Sequence, residues 1–369
     1  MNWLQNGNLA KLVAFFVIAI VITCTVSFAA NGWQSFIENP NGDDIANNDN
    51  KTDGSASDDN ENKEDIEVIA PEPKYYHYIT GLETTLEASL KKPLCVVFSS
   101  QDPMYGISSS FMTIEIPIEY GNTRLLCFTN DAVTLGKLGS IAPSRGYISN
   151  FATYFGGVLL SYGYDDTFSY DFYQPNNHLD FAGTTGYCYT EYNTMVYTNG
   201  DLVNAFINNS KINTITNDNV KLPYEFIETS AGPIYGDKAA TSVLIKYSDT
   251  NSTELVYSSI ENKYYFSKNS GTKNDLLNDK SLSYDNVFIL YADSTTYETS
   301  DSTQIVLNTA TSGKGKYISY GKAIDITWTK DVSGNLSFLD ENGQKVIVNR
   351  GTSYISVVKS SNESSVKIS

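Results

Sequence analysis

Histidine is nearly absent from this 369-residue chain: His77 and His178 are its two imidazoles. A zinc centre built on imidazole, or a nucleophile activated by histidine, therefore has almost no raw material. Cysteine is almost as scarce, with Cys24, Cys95, Cys127 and Cys188 and no Cys-x-x-Cys pair, which removes the usual redox and metal-knuckle motifs. Cys95, Cys127 and Cys188 are an odd set within apolar runs. They read as buried thiols acting as small hydrophobes, with one disulfide plus a spare thiol as the alternative outside the cytoplasm. Positive charge is the third shortage. Lys and Arg number 25 against 42 Asp and Glu, for a formal net charge of −17. Phosphate backbones are bound by basic surfaces, so nucleic acid is excluded as a partner. Gly313-Lys314-Gly315-Lys316 lacks the ending and the following helix of a phosphate loop and reads as a turn. Asp165, Asp166 and Asp171 are too sparse for a calcium loop. No cofactor motif is found, and none is expected.

What the chain does have is a greasy leader. Leu12 to Ala30 reads LVAFFVIAIVITCTVSFAA, nineteen residues without a charge. As a helix it spans roughly 28 Å, close to the hydrocarbon thickness of a bilayer. Three fates stay open: an uncleaved signal-anchor helix, a lipoprotein signal in which Val21-Ile22-Thr23 precedes a lipidated Cys24, or cleavage after Ala29 or Ala30. All three export the rest of the chain, and Lys11 orients the leader modestly. Residues 40–67 then hold ten acidic side chains against Lys51 and Lys63. Such a stretch has few apolar groups to offset chain entropy and is expected to be a disordered, self-repelling spacer. The expectation is an anchor over 1–30 and an acidic tether over 31–73. The protein would then lie on the extracytoplasmic face of the cell membrane, held through its N-terminal helix.

Beyond Pro73 the chain divides by pattern. Pro93-Leu94-Cys95-Val96-Val97-Phe98 is a continuous apolar run, the mark of a buried strand. Phe111 to Ile118 and Thr123 to Phe128 are further strands, with Pro117 at an edge or bulge. Gly146 to Tyr154 reads as a helix and Val158-Leu159-Leu160 as a strand. Leu202 to Ile207 reads as a short amphipathic helix that Asp201 can cap. From Ser242 onward strands follow at short spacing, separated by turn signals such as Glu341-Asn342-Gly343. The fold class is α+β. Mixed or antiparallel sheets with helices on one side form an N-terminal domain over 74–222. A linker covers 223–240, a β-rich C-terminal domain 241–360 and a tail 361–369.

Particular segments resemble a known family. Ile114-Glu115-Ile116-Pro117-Ile118-Glu119-Tyr120-Gly121-Asn122-Thr123-Arg124, Leu138 to Tyr147 and Met195-Val196-Tyr197-Thr198 match patterns of the N-terminal half of the YerB-like envelope lipoproteins of Gram-positive bacteria. Ser312 to Lys316, Ile326 to Lys330, Leu339 to Gly343 and Asn349 to Thr352 match the C-terminal half. The resemblance runs from Thr80 to Val358 and implies the family's α+β arrangement. It also implies a polar cluster, much of it replaced here: Ser99, Phe111, Ala142, Ser161 and Thr194 stand at polar positions of the pattern. What remains is Glu115, Glu119, Thr123, Arg124, Arg145 and Tyr197, the candidate ligand-binding set.

On a strand Glu115 and Glu119 would share a face about 13 Å apart, beyond the ~5–9.5 Å of paired glycosidase carboxylates. A Glu–Arg network that fixes the fold is the leading account, since guanidinium matches carboxylate in a two-bonded fork. The alternatives are a site in which Arg124 and Arg145 hold a ligand carboxylate, and catalysis by the glutamates. The functional expectation is a non-catalytic binding or interaction protein of the cell envelope, with an envelope protein or cell-wall component as partner. The alternative is a wall glycan- or peptide-directed enzyme using Glu115 or Glu119 with Arg124 and Arg145.

Overall fold

The computed structural model describes residues 73–164, 177–192, 194–216, 220–234, 236–298, 303–309 and 311–369. The anchor over 1–30 with Cys24, the tether up to residue 72, and Asp165, Asp166 and Asp171 lie outside the described residues. No helix among the described residues is long and apolar enough to cross a membrane.

The apolar runs become strands buried on both faces, the environment that continuous hydrophobic stretches require. Leu94–Ser99 (β1), Met112–Pro117 (β2), Thr123–Thr129 (β3) and Leu138–Ile141 (β4) come first, followed by helix Gly146–Tyr154 (α1). Val158–Ser161 (β5), Met195–Thr198 (β6) and helix Gly200–Ser210 (α2) complete this part. Ser242–Ser248 (β7), Asn251–Ser258 (β8) and Lys263–Lys268 (β9) alternate inward and outward residues. Asn286–Ala292 (β10), Ser312–Ser319 (β11), Lys322–Lys330 (β12), Ser353–Lys359 (β13) and Val366–Ile368 (β14) follow.

Most strands join one sheet, 14-stranded among the described residues. Its order is Lys238–Ala239, β12, β11, β10, β13, β2, β3, β1, β4, β6 and Tyr189–Glu191. The join between the two parts of the chain is β13 against β2, parallel, with Tyr354 opposite Thr113 and Ser356 opposite Glu115. Residues 71–369 accordingly form one compact unit, and the segment 223–240 lies inside it.

Strand alternation splits the core in two. On one face Val96, Phe98, Leu125, Cys127, Ile289 and Tyr354 pack with Val243, Ile245, Leu255 and Phe266 of a second sheet built on β7–β9 and β14. On the other, Cys95, Val97, Ile114, Leu126, Phe288 and Ile355 pack with Ile148 and Phe151 of α1. Val203 and Phe206 of α2 belong to the first face. The two longer helices, α1 and α2, therefore cover opposite faces, where the sequence reading gathered helices on one side. The protein is strand-rich with several sheets and few helices.

Three local readings change for physical reasons. Gly313 and Gly315 lie within β11, where a turn was expected. A Cβ would stand 2.2 Å from the Tyr291 carbonyl at Gly313 and 2.6 Å from that of Ile289 at Gly315, so both glycines serve close strand approach. Helix α2 starts earlier than read and is capped by Asn199, whose Oδ1 accepts from the Leu202 amide at 3.0 Å. Pro117 ends an interior strand: the β2–β13 register stops at Glu115, so Pro117 withholds no donor from that ladder. Cys95, Cys127 and Cys188 are free thiols, the first two buried.

Candidate functional site

The β2–β3 hairpin carries four of the six candidate residues and sends them in two directions. Glu115 pairs with Leu125 across the hairpin, and Arg124 pairs with Ile116. Opposed residues share a face, so Glu115 and Arg124 point to opposite sides of the sheet. Glu119 lies beyond β2, in a one-turn 3-10 segment, Glu119–Gly121. Gly121 has φ +72°, and a Cβ there would sit 2.5 Å from Ser248 Cβ, so the hairpin turn is pressed against the second sheet. The Asn251 amide donates to the Gly121 carbonyl at 2.9 Å and secures that contact.

Glu115 is fully enclosed, with no exposed surface. Its Oε1 accepts from Thr123 Oγ1 at 2.6 Å and from Lys268 Nζ; its Oε2 accepts from Thr253 Oγ1 at 2.6 Å and from the Tyr354 hydroxyl. Lys268 donates also to Thr253 Oγ1 at 3.0 Å, and its ammonium lies 5.0 Å from the centre of the Tyr247 ring. Tyr247 and Ser356 share a hydrogen bond of 2.6 Å. Burial alone would push the Glu115 carboxyl up, but the Lys268 charge and the donated hydrogen bonds outweigh it and hold the group below its ordinary range. Burial and the neighbouring Glu115 charge push the Tyr354 and Tyr247 hydroxyls well up. Carboxylate and ammonium thus neutralise one another in a site closed to water. Thr123, also without exposed surface, belongs to this network.

The remaining charges gather at the rim, on the α1 side of the sheet. Arg145 precedes α1 and forks onto Glu119, with Nε to Oε1 at 3.3 Å and a terminal nitrogen to Oε2 at 2.9 Å. The Ile305 amide, from the hairpin Ser294–Glu298 with Thr303–Leu307, donates to the same Oε1 at 3.3 Å. Burial raises the Glu119 carboxyl, and the Arg145 and amide donors more than reverse this, leaving it lowered. Glu119 is 6% exposed and Arg145 partly exposed. Arg124 is half-buried beside them, and its guanidinium is lowered by burial and then by the like charge of Arg145. Asp102 acts on it in the opposite sense.

Tyr197 stands apart, buried on β6. Its ring and that of Tyr105 meet edge-on at 5.7 Å, and Lys137 Nζ sits about 4 Å from both centres (4.2 and 4.1 Å) while pairing with Glu191 at 2.8 Å. Burial, with Glu191 next, pushes its hydroxyl up to about 12.

The candidate set therefore does not form one cleft. Glu115 and Thr123 are enclosed, Glu119, Arg124 and Arg145 share the rim, and Tyr197 is packed at a third position. The residue that sequence reasoning missed is Lys268. It had a signal: alternation in Lys263–Lys268 places Tyr264, Phe266 and Lys268 on the inward face, and a lysine in that row demands a buried partner.

Fold and site define a strand-rich protein whose two parts close around an internal ion pair. Residues 243–355 match the family described as the C-terminal domain of a protein of unknown function, DUF3048. The fold is similar to the crystal structure of the YerB protein from Bacillus subtilis, with a TM-score of 0.66 at 18% identity, over 80% of this chain and 100% of that one. No curated protein matches the chain. The fold is YerB-like, at low identity, and residues 243–355 resemble the family's C-terminal domain, in line with the motifs from Ser312 to Thr352.

Proposed function

We propose that this chain is a membrane-tethered binding protein of the extracytoplasmic face of a Gram-positive cell envelope, and that it is not an enzyme. One observation carries the reading: neither candidate glutamate is free to take a proton from a substrate. Glu115 is sealed from solvent and neutralised by Lys268, and both oxygens of Glu119 are engaged by Arg145, one of them also by the Ile305 amide. A general base has to reach the proton it abstracts. The rim with Arg124 and Arg145 is the polar surface left for recognition, and the leader and tether support delivery to the envelope.

The test is crosslinking in intact cells followed by capture of the full chain. The reading expects a defined envelope protein or cell-wall component, reduced in an Arg124→Gln/Arg145→Gln variant. Recovery unchanged in that variant, or no envelope component at all, overturns it. The enzymatic alternative predicts altered wall fragments by mass spectrometry after incubation with the purified chain, abolished by Glu119→Gln.

A further inference from the structure

Arg124 holds a charge that the protein leaves uncommitted. Its Nε is buried with no hydrogen-bond partner, and no described residue accepts from the rest of its guanidinium. A buried donor left unmade is costly and calls for an explanation. A second such atom lies in the same part of the sheet. Ser140 is 2% exposed and its Oγ also has no partner.

The registers bring the two together. Arg124 stands opposite Ser99 on β1. Phe98 of β1 stands opposite Ile141 of β4, so one position further along that register Ser99 faces Ser140. Phe98 and Ile141 belong to the core on the α2 side, and the pleat therefore turns Ser99 and Arg124 to the α1 side, with Ser140 beside them as the extra residue at a β4–β6 register shift. Helix α1 begins at this rim, directly after Arg145, and its N-terminal end adds a positive dipole.

The balance of charge points the same way. Arg124, Arg145 and Lys359 are the cations here; Glu119 and Asp102 are the anions that act on them. The rim keeps an excess of one positive charge in a chain of net −17. Arg145 is already held by Glu119. Two guanidiniums side by side with one carboxylate committed to one of them leave room for an anion on the other.

We propose that Arg124 and Ser140 form an oxyanion-binding subsite that takes a carboxylate or phosphate group of the ligand. The assignment rests on the reading of the chain as a binding protein and names the chemistry its rim recognises. Arg124 supplies a planar fork suited to two oxygens, and the Ser140 hydroxyl supplies a further donor.

Titration calorimetry on the full chain tests this, with inorganic phosphate in one arm and N-acetylglycine in the other. The expected result is saturable one-to-one binding in at least one arm, and the stronger arm identifies the source of the oxyanion. Arg124→Gln should weaken it by about tenfold or more, the loss of a charge-assisted contact. Ser140→Ala should weaken it by a few-fold. Ser99→Asp should abolish it, because the new carboxylate faces Arg124 and competes for the same place. All three variants should fold, and Arg124→Gln should melt no lower than the parent.

No saturable heat in either arm, undiminished binding in Arg124→Gln, or failure of Arg124→Gln to fold would each overturn the assignment. The last would make Arg124 a structural residue. Failure here with envelope capture intact leaves a binding protein that uses another surface. Anion binding intact without envelope capture removes the binding reading and keeps the subsite.

Discussion

Glu115 and Glu119 are four positions apart on one hairpin and live in different physical worlds. Glu115 is sealed between two sheets and matched by a lysine, two threonines and a tyrosine. Glu119 sits at the rim on a part-exposed arginine. In the first setting a charge has no solvent to fall back on, so its partners are obligatory. In the second, Glu119 is still buried but Arg145 reaches partly into water, so one partner is open to solvent and salt. The same residue type is a lock in one place and an adjustable contact in the other.

The strongest way to break the contrast is to separate the parts that the lock joins. β2 takes its hydrogen bonds from β13 on one side and β3 on the other. Fragments 73–240 and 241–369 expressed separately should show no cooperative melting by circular dichroism, and regain it when mixed if they fold at all. A sharp transition in either fragment alone would show that the shared sheet is dispensable.

Next comes Lys268→Met. It leaves the Glu115 carboxylate uncompensated in the core, a change worth about 3–5 kcal/mol, read as a fall in the urea midpoint. An unaltered midpoint would mean that the pair is not closed to water.

Acid sharpens the comparison further. The Glu115 carboxyl is lowered in the folded state from its ordinary 4.5, so its contribution is present above that value and is lost as pH falls through the folded pKa. His77 and His178 are both lowered from 6.5 to about 4, by burial first. The unfolded chain protonates these histidines earlier, so stability should fall as pH drops from 6.5 towards 4. His77→Asn should reduce the slope of that limb to about half, the His178 share remaining, without touching the lower one, as measured by urea denaturation across pH. An unchanged limb would contradict the burial of His77.

The smallest effect belongs to the rim. Glu119→Gln weakens a pair whose arginine is part-exposed and can turn to water, and should cost about 1–2 kcal/mol, less in high salt. A loss as large as that from Lys268→Met would erase the distinction between the two sites.

Much of the backbone was readable from residues alone. The run Leu94 to Phe98, the helix Gly146–Tyr154 and the strand Val158 to Leu160 fall where their patterns put them, because each stretch is decided by local periodicity. The partnerships were harder. Glu115 was expected to meet arginine, yet the pleat turns Arg124 away and a lysine from β9, 153 positions along the chain, arrives instead. Such pairing is set by which sheet packs on which face, and that information is spread over both parts of the sequence. Glu119 with Arg145 was nearer to hand, since both lie close to the ends of adjoining elements. The glycines of β11 misled because close strand approach and turns use the same residue.

A double-mutant cycle over Glu115→Gln and Lys268→Met, followed by urea denaturation, addresses the lock most directly. An internal lock predicts two large single losses and a double variant that recovers a substantial part of them, with a coupling of at least about 2 kcal/mol. Simple additivity, with each single change costing only a few tenths, would contradict it.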